Sequence, residues 1–192
     1  MNPLRTQKAP AALLAAGIML TATAALAQHG NYAGQQQRMI KALSPQQVQQ
    51  YNTGAGMGYA RAAELNHYPG PMHVLELADR LGISPEQRAA TEALMASHKA
   101  EAQAIGTRLV AAEAELDRLF AAGTITADAL ALQVRQVALL RGEFQLSHLE
   151  THRRMRALLD KQQIVQYDRL RGYGDTNAVT PAHQRHHGGH DE

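Results

Sequence analysis

Apolar residues recur every three or four positions along two long stretches of the chain, and this spacing predicts two long helices. The first runs from Pro85 to about Ala121 and the second from about Ala127 to Leu159, each with one recurring face. A short break that ends in Thr126, a suitable helix cap, separates them, so the helices are expected to pack antiparallel. The first face contains Leu94, His98, Glu101, Ile105, Leu109, Ala112, Leu116 and Leu119. The second contains Leu130, Val134, Val137, Phe144, His148, Thr151, Met155 and Leu158.

Shorter helices flank this pair. One is expected from Met72 to Leu81, closed by Gly82, and another from Lys161 to about Arg171, followed by Gly172. No useful stretch alternates apolar and polar residues at the period of a strand. The sequence therefore predicts an all-α fold, an elongated helical hairpin with short flanking helices, over residues 72–173.

The beginning of the chain has the pattern of an export signal. Arg5 and Lys8 precede an uncharged apolar run from Ala11 to Leu26, which ends in a small-x-small cleavage site at Ala27. The run is too short and wrongly flanked for a stable membrane span, and the alternative to a cleaved signal is a retained amphipathic anchor. We expect residues 1–27 to be a signal peptide that is cleaved after Ala27, which predicts a periplasmic protein.

The segments on either side of the helical domain are polar. Residues 28–71 are rich in Gln, Gly, Asn and Tyr, which predicts a mobile arm with short helical pieces. Residues 174–192 are polar and rich in histidine, which predicts a disordered tail.

Composition excludes several classes of function. Two of the 19 basic residues and none of the 17 acidic residues lie in the signal, so the mature chain carries equal numbers of both. Such a balance argues against a nucleic-acid partner. Absence of cysteine excludes disulfides, thiolate metal sites and cysteine nucleophiles. Since no phosphate-binding loop or nucleophile elbow is present, we expect no enzymatic activity and no required cofactor.

A short phrase that marks helix starts occurs three times. Each copy has an apolar residue, then an N-cap residue, and then Gln three positions after the cap, which is the pattern of a capping box. The copies are Leu43-Ser44-Pro45-Gln46-Gln47, Ile83-Ser84-Pro85-Glu86-Gln87 and Leu159-Asp160-Lys161-Gln162-Gln163. The first lies in the predicted arm, whereas the other two bracket the predicted hairpin.

With these motifs, the chain over residues 72–173 resembles the Spy/CpxP superfamily of periplasmic proteins, whose members carry a paired Leu-Thr-x-x-Gln motif at helix starts. Neither copy here has the family Thr, but Ser84 and Asp160 keep the capping chemistry. The residues that correspond to the family motif are Ile83, Ser84, Gln87, Leu159, Asp160 and Gln163. The resemblance implies a curved four-helix hairpin that dimerises into a cradle.

The family includes ATP-independent chaperones, an inhibitory partner of a stress-sensing kinase, and heavy-metal sensors and resistance proteins. From this resemblance we expect a holdase-type chaperone or an accessory of an envelope-stress system. Its partners would be a second copy of the chain and unfolded periplasmic proteins or a stress sensor. The alternative is a periplasmic metal sensor or metal-sequestering protein that uses histidines of the hairpin.

Histidines on the predicted hairpin are the candidate metal ligands. His148 and His152 stand four residues apart on one helical face, a spacing that suits two nitrogen ligands. The hairpin turn sets His98 opposite position 150, with Glu101 one turn away, so these four side chains are the predicted site for Zn, Cu, Ni or Co. Metal sensors of the family also place a His-x-x-x-His pair on this helix. The alternative is a local His98–Glu101 pair with His148 facing water.

Two further sets of residues are candidates for binding. The tail contains a second, looser set of metal ligands: His183, His186, His187 and His190. Apolar residues near the open end of the hairpin are candidates for contact with unfolded clients, or alternatively core or dimer contacts: Leu94, Met95, Met155, Leu158, Ile164 and Val165.

Overall fold

A computed structural model describes residues 32–174 of the 192-residue chain. The predicted signal peptide and the four tail histidines lie outside these residues. The helices of residues 32–174 are α1 Pro45–Asn52, α2 Arg61–Glu64, α3 Pro71–Glu76, α4 Ala78–Leu81, α5 Pro85–Ala121, α6 Ala127–Leu158 and α7 Lys161–Arg171, with a 3-10 turn at Gln35–Gln37. This described part is mostly helical and contains no strand, which confirms the all-α prediction. None of its helices is both long and apolar enough to cross a membrane.

The two long helices, α5 and α6, pack side by side in opposite directions. Near the turn, the side-chain amide of Gln133 donates a hydrogen bond of 2.7 Å to the Ala112 carbonyl. Farther along the pair, His98 on α5 lies 3.2 Å from the hydroxyl of Ser147 on α6. Arg141 on α6 forms an ion pair with the buried side chain of Glu113, which follows Ala112 on α5. Polar contacts therefore fix the register of the two helices along most of their length.

The predicted faces of α5 and α6 need two corrections. On α5, Glu101 is exposed and Ala102 is fully buried in its place. On α6, Leu130 and Val134 are exposed, whereas the face is buried from Val137 onward. Steps of three and four residues fit a helix equally well, so periodicity could not choose between Glu101 and Ala102. Near the turn, no other element within residues 32–174 covers the pair of helices closely enough to bury the first part of the α6 face.

A first core joins the N-terminal part of the chain to the middle of the helix pair. It contains Ile40, Leu43, Tyr51, Ala102, Ile105, Leu109, Ala112, Val137, Leu140 and Phe144. The structure thus differs from the prediction of a mobile arm over residues 28–71, since Ile40, Leu43 and Tyr51 are buried against α5 and α6. Small residues on α5 make this contact close. A Cβ atom added to Gly106 would lie 2.6 Å from the carbonyl carbon of Tyr51.

A second core lies at the other end of the helix pair, where α3, α4 and α7 meet α5 and α6. Its buried members are Val74, Leu81, Leu94, Met155, Leu159 and Tyr167. Ile83, which begins the second capping phrase, packs against it. The apolar residues that precede both caps therefore anchor the starts of α5 and α7 to one core.

The capping phrases form the predicted capping boxes and two of them are joined. Ser44, Ser84 and Asp160 each accept a bond from the backbone three residues on, and the Gln at that position bonds back to the cap. In addition, Gln87 and Gln163 donate to each other through their amide groups, at 2.9 and 3.0 Å. Gln87 also donates to the Leu158 carbonyl at 2.8 Å, at the end of α6. This amide pair ties together the starts of α5 and α7.

We expect Gln87→Ala and Gln163→Ala each to lower the free energy of unfolding by about 2 kcal/mol, because each removes a cap bond and both amide bonds of the pair. The double variant should cost about 1 kcal/mol less than the sum, since the two shared amide bonds are lost only once. Urea unfolding of all three proteins measures both quantities. Gln47→Ala is the matched control, because Gln47 has the same role in its capping box and no cross-helix amide partner. Additive losses would contradict the joint role of the pair.

Candidate functional site

A cleft of about 690 Å³ opens between the loop that follows α1, helix α3 and the facing sides of α5 and α6. We call it the histidine cleft, because four of its lining residues are histidines: His73, His98, His148 and His152. Its lining also includes Met57, Met72, Met95, Arg61, Lys99, Arg171 and Glu64. Residues of the predicted arm thus form one wall of the cleft and the long helices form the other.

His148 is the most deeply buried histidine of the cleft, with 4% of its surface exposed. Its Nδ1 lies 2.8 Å from the carbonyl oxygen of Phe144, one turn earlier on α6. Because a carbonyl only accepts, Nδ1 carries the proton, and in the neutral ring Nε2 then holds the lone pair. Within the described residues, that buried Nε2 has no hydrogen-bond partner. The alternative that His148 faces water does not fit the structure.

His98 faces His148 across the two long helices. The ring centroids are 4.5 Å apart and the ring planes meet at 84°. His98 uses Nδ1 in its contact with the hydroxyl of Ser147, so its Nε2 is not engaged in that bond. Tyr59, from the segment before α2, also lies beside His148, with ring centroids 6.2 Å apart. The two imidazoles therefore form a half-enclosed pair, oriented by α5 and α6 and covered by the N-terminal segment.

Burial keeps this histidine pair uncharged. Burial is the largest cause that lowers the pKa of His98 to about 4, and the charges that His148 and His152 would carry contribute to the same shift. Burial also lowers the pKa of His148, although the backbone groups of Phe144, Gly54 and Ala55 oppose the shift. Both rings are therefore neutral near pH 7. A neutral imidazole is the form that binds a metal ion.

His152 is held by a different set of contacts. Its Nδ1 lies 2.8 Å from the Tyr68 carbonyl and 3.5 Å from Glu64 Oε2. Gly70 leaves room for the ring, since a Cβ atom there would lie 3.2 Å from Nε2 of His152. The two histidines of the predicted i, i+4 pair thus have different neighbours: His148 packs against His98, and His152 against Glu64.

Glu64 is the acidic residue of the cleft. Its Oε1 accepts bonds from the hydroxyls of Tyr167 at 2.5 Å and Tyr173 at 3.2 Å. Arg171 lies 3.4 Å from the same oxygen. The carboxylate is therefore already engaged, and it links the segment before α3 to the C-terminal helix. Nothing in the sequence pattern singled out Glu64, because its segment was predicted to be mobile.

Three of the four predicted metal ligands lie in the cleft, and the fourth does not. His98 lies beside His148, and His152 lines the same cleft, but Glu101 is exposed and does not line it. Across residues 32–174, no three His, Asp or Glu side chains form a group that could hold a metal ion. The histidines on the two long helices are therefore brought together as a pair, without a carboxylate as third ligand.

The apolar client-binding candidates are mostly covered. Leu94 and Met155 are buried in the second core, which corresponds to the alternative reading as core contacts. Met95, Leu158 and Ile164 are half-buried, and Val165 is exposed. Sequence reasoning missed a different exposed set on the outer side of α6, which we call the outer leucine row: Leu132, Leu139 and Leu146. Their spacing of seven residues was the available signal.

Comparison with known proteins provides no further guide to this site. No family model matches the sequence, and no curated protein and no solved structure shows a significant match to the chain. Function therefore has to be inferred from the residues of the cleft and of the exposed surface.

Proposed function

We propose that this protein acts by binding and not by catalysis, and that its function is to capture a transition-metal ion in the histidine cleft. The observation that carries the proposal is the buried, unpartnered Nε2 of His148. A buried lone pair without a donor is costly. A metal ion at this position would satisfy it.

The surroundings of His148 suit a metal ligand. A bond from Nδ1 to a backbone carbonyl, as His148 makes with Phe144, is the usual way in which a protein orients a ligating imidazole. His152 has the same arrangement through Tyr68, and His98 supplies a second neutral ring beside His148. Lewis acidity is the chemistry that a bound ion would supply. The chain's own residues would hold the ion and shield it from water.

The cellular setting follows from the sequence alone. The predicted export signal with cleavage after Ala27 supports a periplasmic location, where a metal site without cysteine loses no ligand to disulfide formation. In the manner of the Spy/CpxP proteins that the chain resembles, we propose that the long helix pair is a hairpin that dimerises into a cradle. Metal sensing or sequestration would then be its part in envelope-stress protection.

Metal titration of the mature chain tests this function. To remove loose binding by the tail, His183, His186, His187 and His190 are replaced by Gln in every protein compared. We expect His98→Gln/His148→Gln to weaken binding of the metal that the parent protein binds at least tenfold, because both imidazoles of the pair are lost. In this double variant, added metal should no longer raise the melting temperature, since a ligand stabilises a folded protein only when it binds to it.

His67→Gln is the matched control for this titration, because His67 is exposed and pairs with Asp168 outside the cleft. It should bind metal as the parent does. Calorimetry with Zn²⁺, Ni²⁺ and Co²⁺, and with copper in both oxidation states, measures the affinities. Equal binding by the parent and the double variant, or no binding by either, would contradict the proposal.

The outer leucine row favours a second candidate function, that of a holdase. Leu132, Leu139 and Leu146 are each more than half exposed, and their seven-residue spacing aligns them along one side of α6. Arg135 and Glu143 lie beside this row. An apolar strip with charged neighbours is a surface on which unfolded segments, or α6 of a second copy, could be held.

We expect the triple change Leu132→Gln/Leu139→Gln/Leu146→Gln to reduce suppression of client aggregation at least threefold, because it removes the apolar strip. Ala131→Gln/Ala138→Gln is the matched control, since it adds glutamine to exposed positions one residue earlier on α6. Light scattering of a heat-aggregating client, with metal chelated, measures the effect. A variant that changes from dimer to monomer while still suppressing aggregation would assign the row to dimerisation instead.

A further inference from the structure

We infer that the ion captured in the histidine cleft is Cu(I), held by methionine sulfur together with the His98–His148 pair. This inference rests on the proposed function, since it names the metal of that same site. The imidazole pair has no His, Asp or Glu as a third partner in the described residues. Any further protein ligands at this position would therefore come from another class of side chain, and the chain has no cysteine.

Methionine is the soft ligand that the cleft contains. Met57, Met72 and Met95 line it, and they come from the loop after α1, from α3 and from α5. Met95 precedes His98 by one helical turn, so the two lie on the same side of α5. Met57 packs against the first core, while Met72 is exposed at the start of α3. Thioether sulfur is a soft, uncharged ligand that suits Cu(I).

The other methionines of the described part are placed differently. Met155 is fully buried in the second core, and Met39 is 94% exposed on the surface. Neither lines the cleft. Three of the five methionines between residues 32 and 174 therefore lie around one group of histidines, in a cleft whose walls come from distant parts of the chain.

The charge of the cleft also favours a monovalent ion. Arg61, Lys99 and Arg171 line it, whereas Glu64 is its acidic residue and is already bonded to the Tyr167 hydroxyl. Repulsion between these cations and a bound ion grows with the charge of the ion, so a divalent ion meets twice the repulsion that Cu(I) meets. Zn²⁺, Ni²⁺ and Co²⁺ sites commonly offset this with carboxylate ligands, which this cleft does not offer beside the histidine pair.

Competition with a coloured Cu(I) chelator under reducing, oxygen-free conditions tests the inference on the mature chain with the tail histidines replaced by Gln. We expect Cu(I) to bind at least a hundredfold more tightly than Zn²⁺. Met57→Leu/Met95→Leu should weaken Cu(I) at least tenfold and leave Zn²⁺ binding unchanged, because leucine keeps the volume and removes the sulfur. Met39→Leu is the matched control and should change neither affinity.

X-ray absorption at the copper edge adds a direct signature, since sulfur and nitrogen neighbours scatter differently. We expect sulfur beside copper in the parent protein and its loss in Met57→Leu/Met95→Leu. Tight Cu(I) binding that is indifferent to both methionines, or a preference for Zn²⁺, would overturn the inference while leaving metal capture intact. Absence of binding by every metal would instead overturn the proposed function and this inference with it.

Discussion

Gly106→Ala is expected to lower the free energy of unfolding by about 3 kcal/mol, the upper range for overpacking a tight contact. A methyl group at this position would lie 2.6 Å from the carbonyl carbon of Tyr51 and 3.2 Å from its Cα. Both atoms belong to the backbone, so no side-chain rotation relieves the overlap. Helix α1 would have to move away from α5, and Tyr51 would leave the first core.

Gly142→Ala is the matched control, because Gly142 lies inside α6 and a Cβ atom there meets no atom within 4 Å. In that open position alanine should stabilise the helix by about 0.5–1 kcal/mol. The same substitution is thus expected to have opposite signs at the two sites. Urea unfolding measures both changes, and protease cleavage within residues 54–60 should accelerate in Gly106→Ala alone. A gain in stability from both substitutions would show that α1 does not dock as described.

Phe144→Ala is expected to cost about 4 kcal/mol, within the range for removing a buried phenylalanine. Phe144 is fully buried, and its ring meets those of Tyr51 and Tyr59 edge to face at centroid distances of 5.3 and 5.2 Å. It also packs on His148 at 4.6 Å. The substitution would therefore open a cavity between the first core and the histidine cleft.

The chain contains one other phenylalanine, Phe120, which is 56% exposed and provides the matched control. Phe120→Ala should change stability by about 0.5 kcal/mol or less. Water entering the new cavity in Phe144→Ala should also raise the pKa of His148 toward its ordinary value, because burial is the main cause of its depression. Titration by NMR measures this shift. Equal losses of stability in both variants, or an unmoved His148 pKa, would contradict the proposed packing.

Helix boundaries were predictable because their signals are local. Ser84 and Thr126 cap the two long helices in the structure, and Gly82 and Gly172 adopt the left-handed conformation that ends α4 and α7. Each of these residues acts on its own turn of backbone, so the order of residues is sufficient information. The same local periodicity, together with a short turn, places His98 across from the α6 histidines.

Packing of the N-terminal segment was not predictable in this way. Its composition resembles that of a disordered arm, and its burial depends on Ala102 and Gly106, about fifty residues away in the chain. This segment brings Glu64 and Met57 into the lining of the cleft. Since its packing could not be predicted from the sequence, the presence of these two residues at the site could not be predicted either. Contacts between distant segments need three-dimensional information that neither periodicity nor capping contains.

The joint between Gln87 and Gln163 has a consequence for the conditions that the fold tolerates. Two uncharged amides form it, so neither acidity nor dissolved salt alters the charge on either partner. Surface ion pairs such as Arg118–Glu115, by contrast, weaken as ionic strength rises. The starts of α5 and α7 should therefore remain joined at high and at low ionic strength alike.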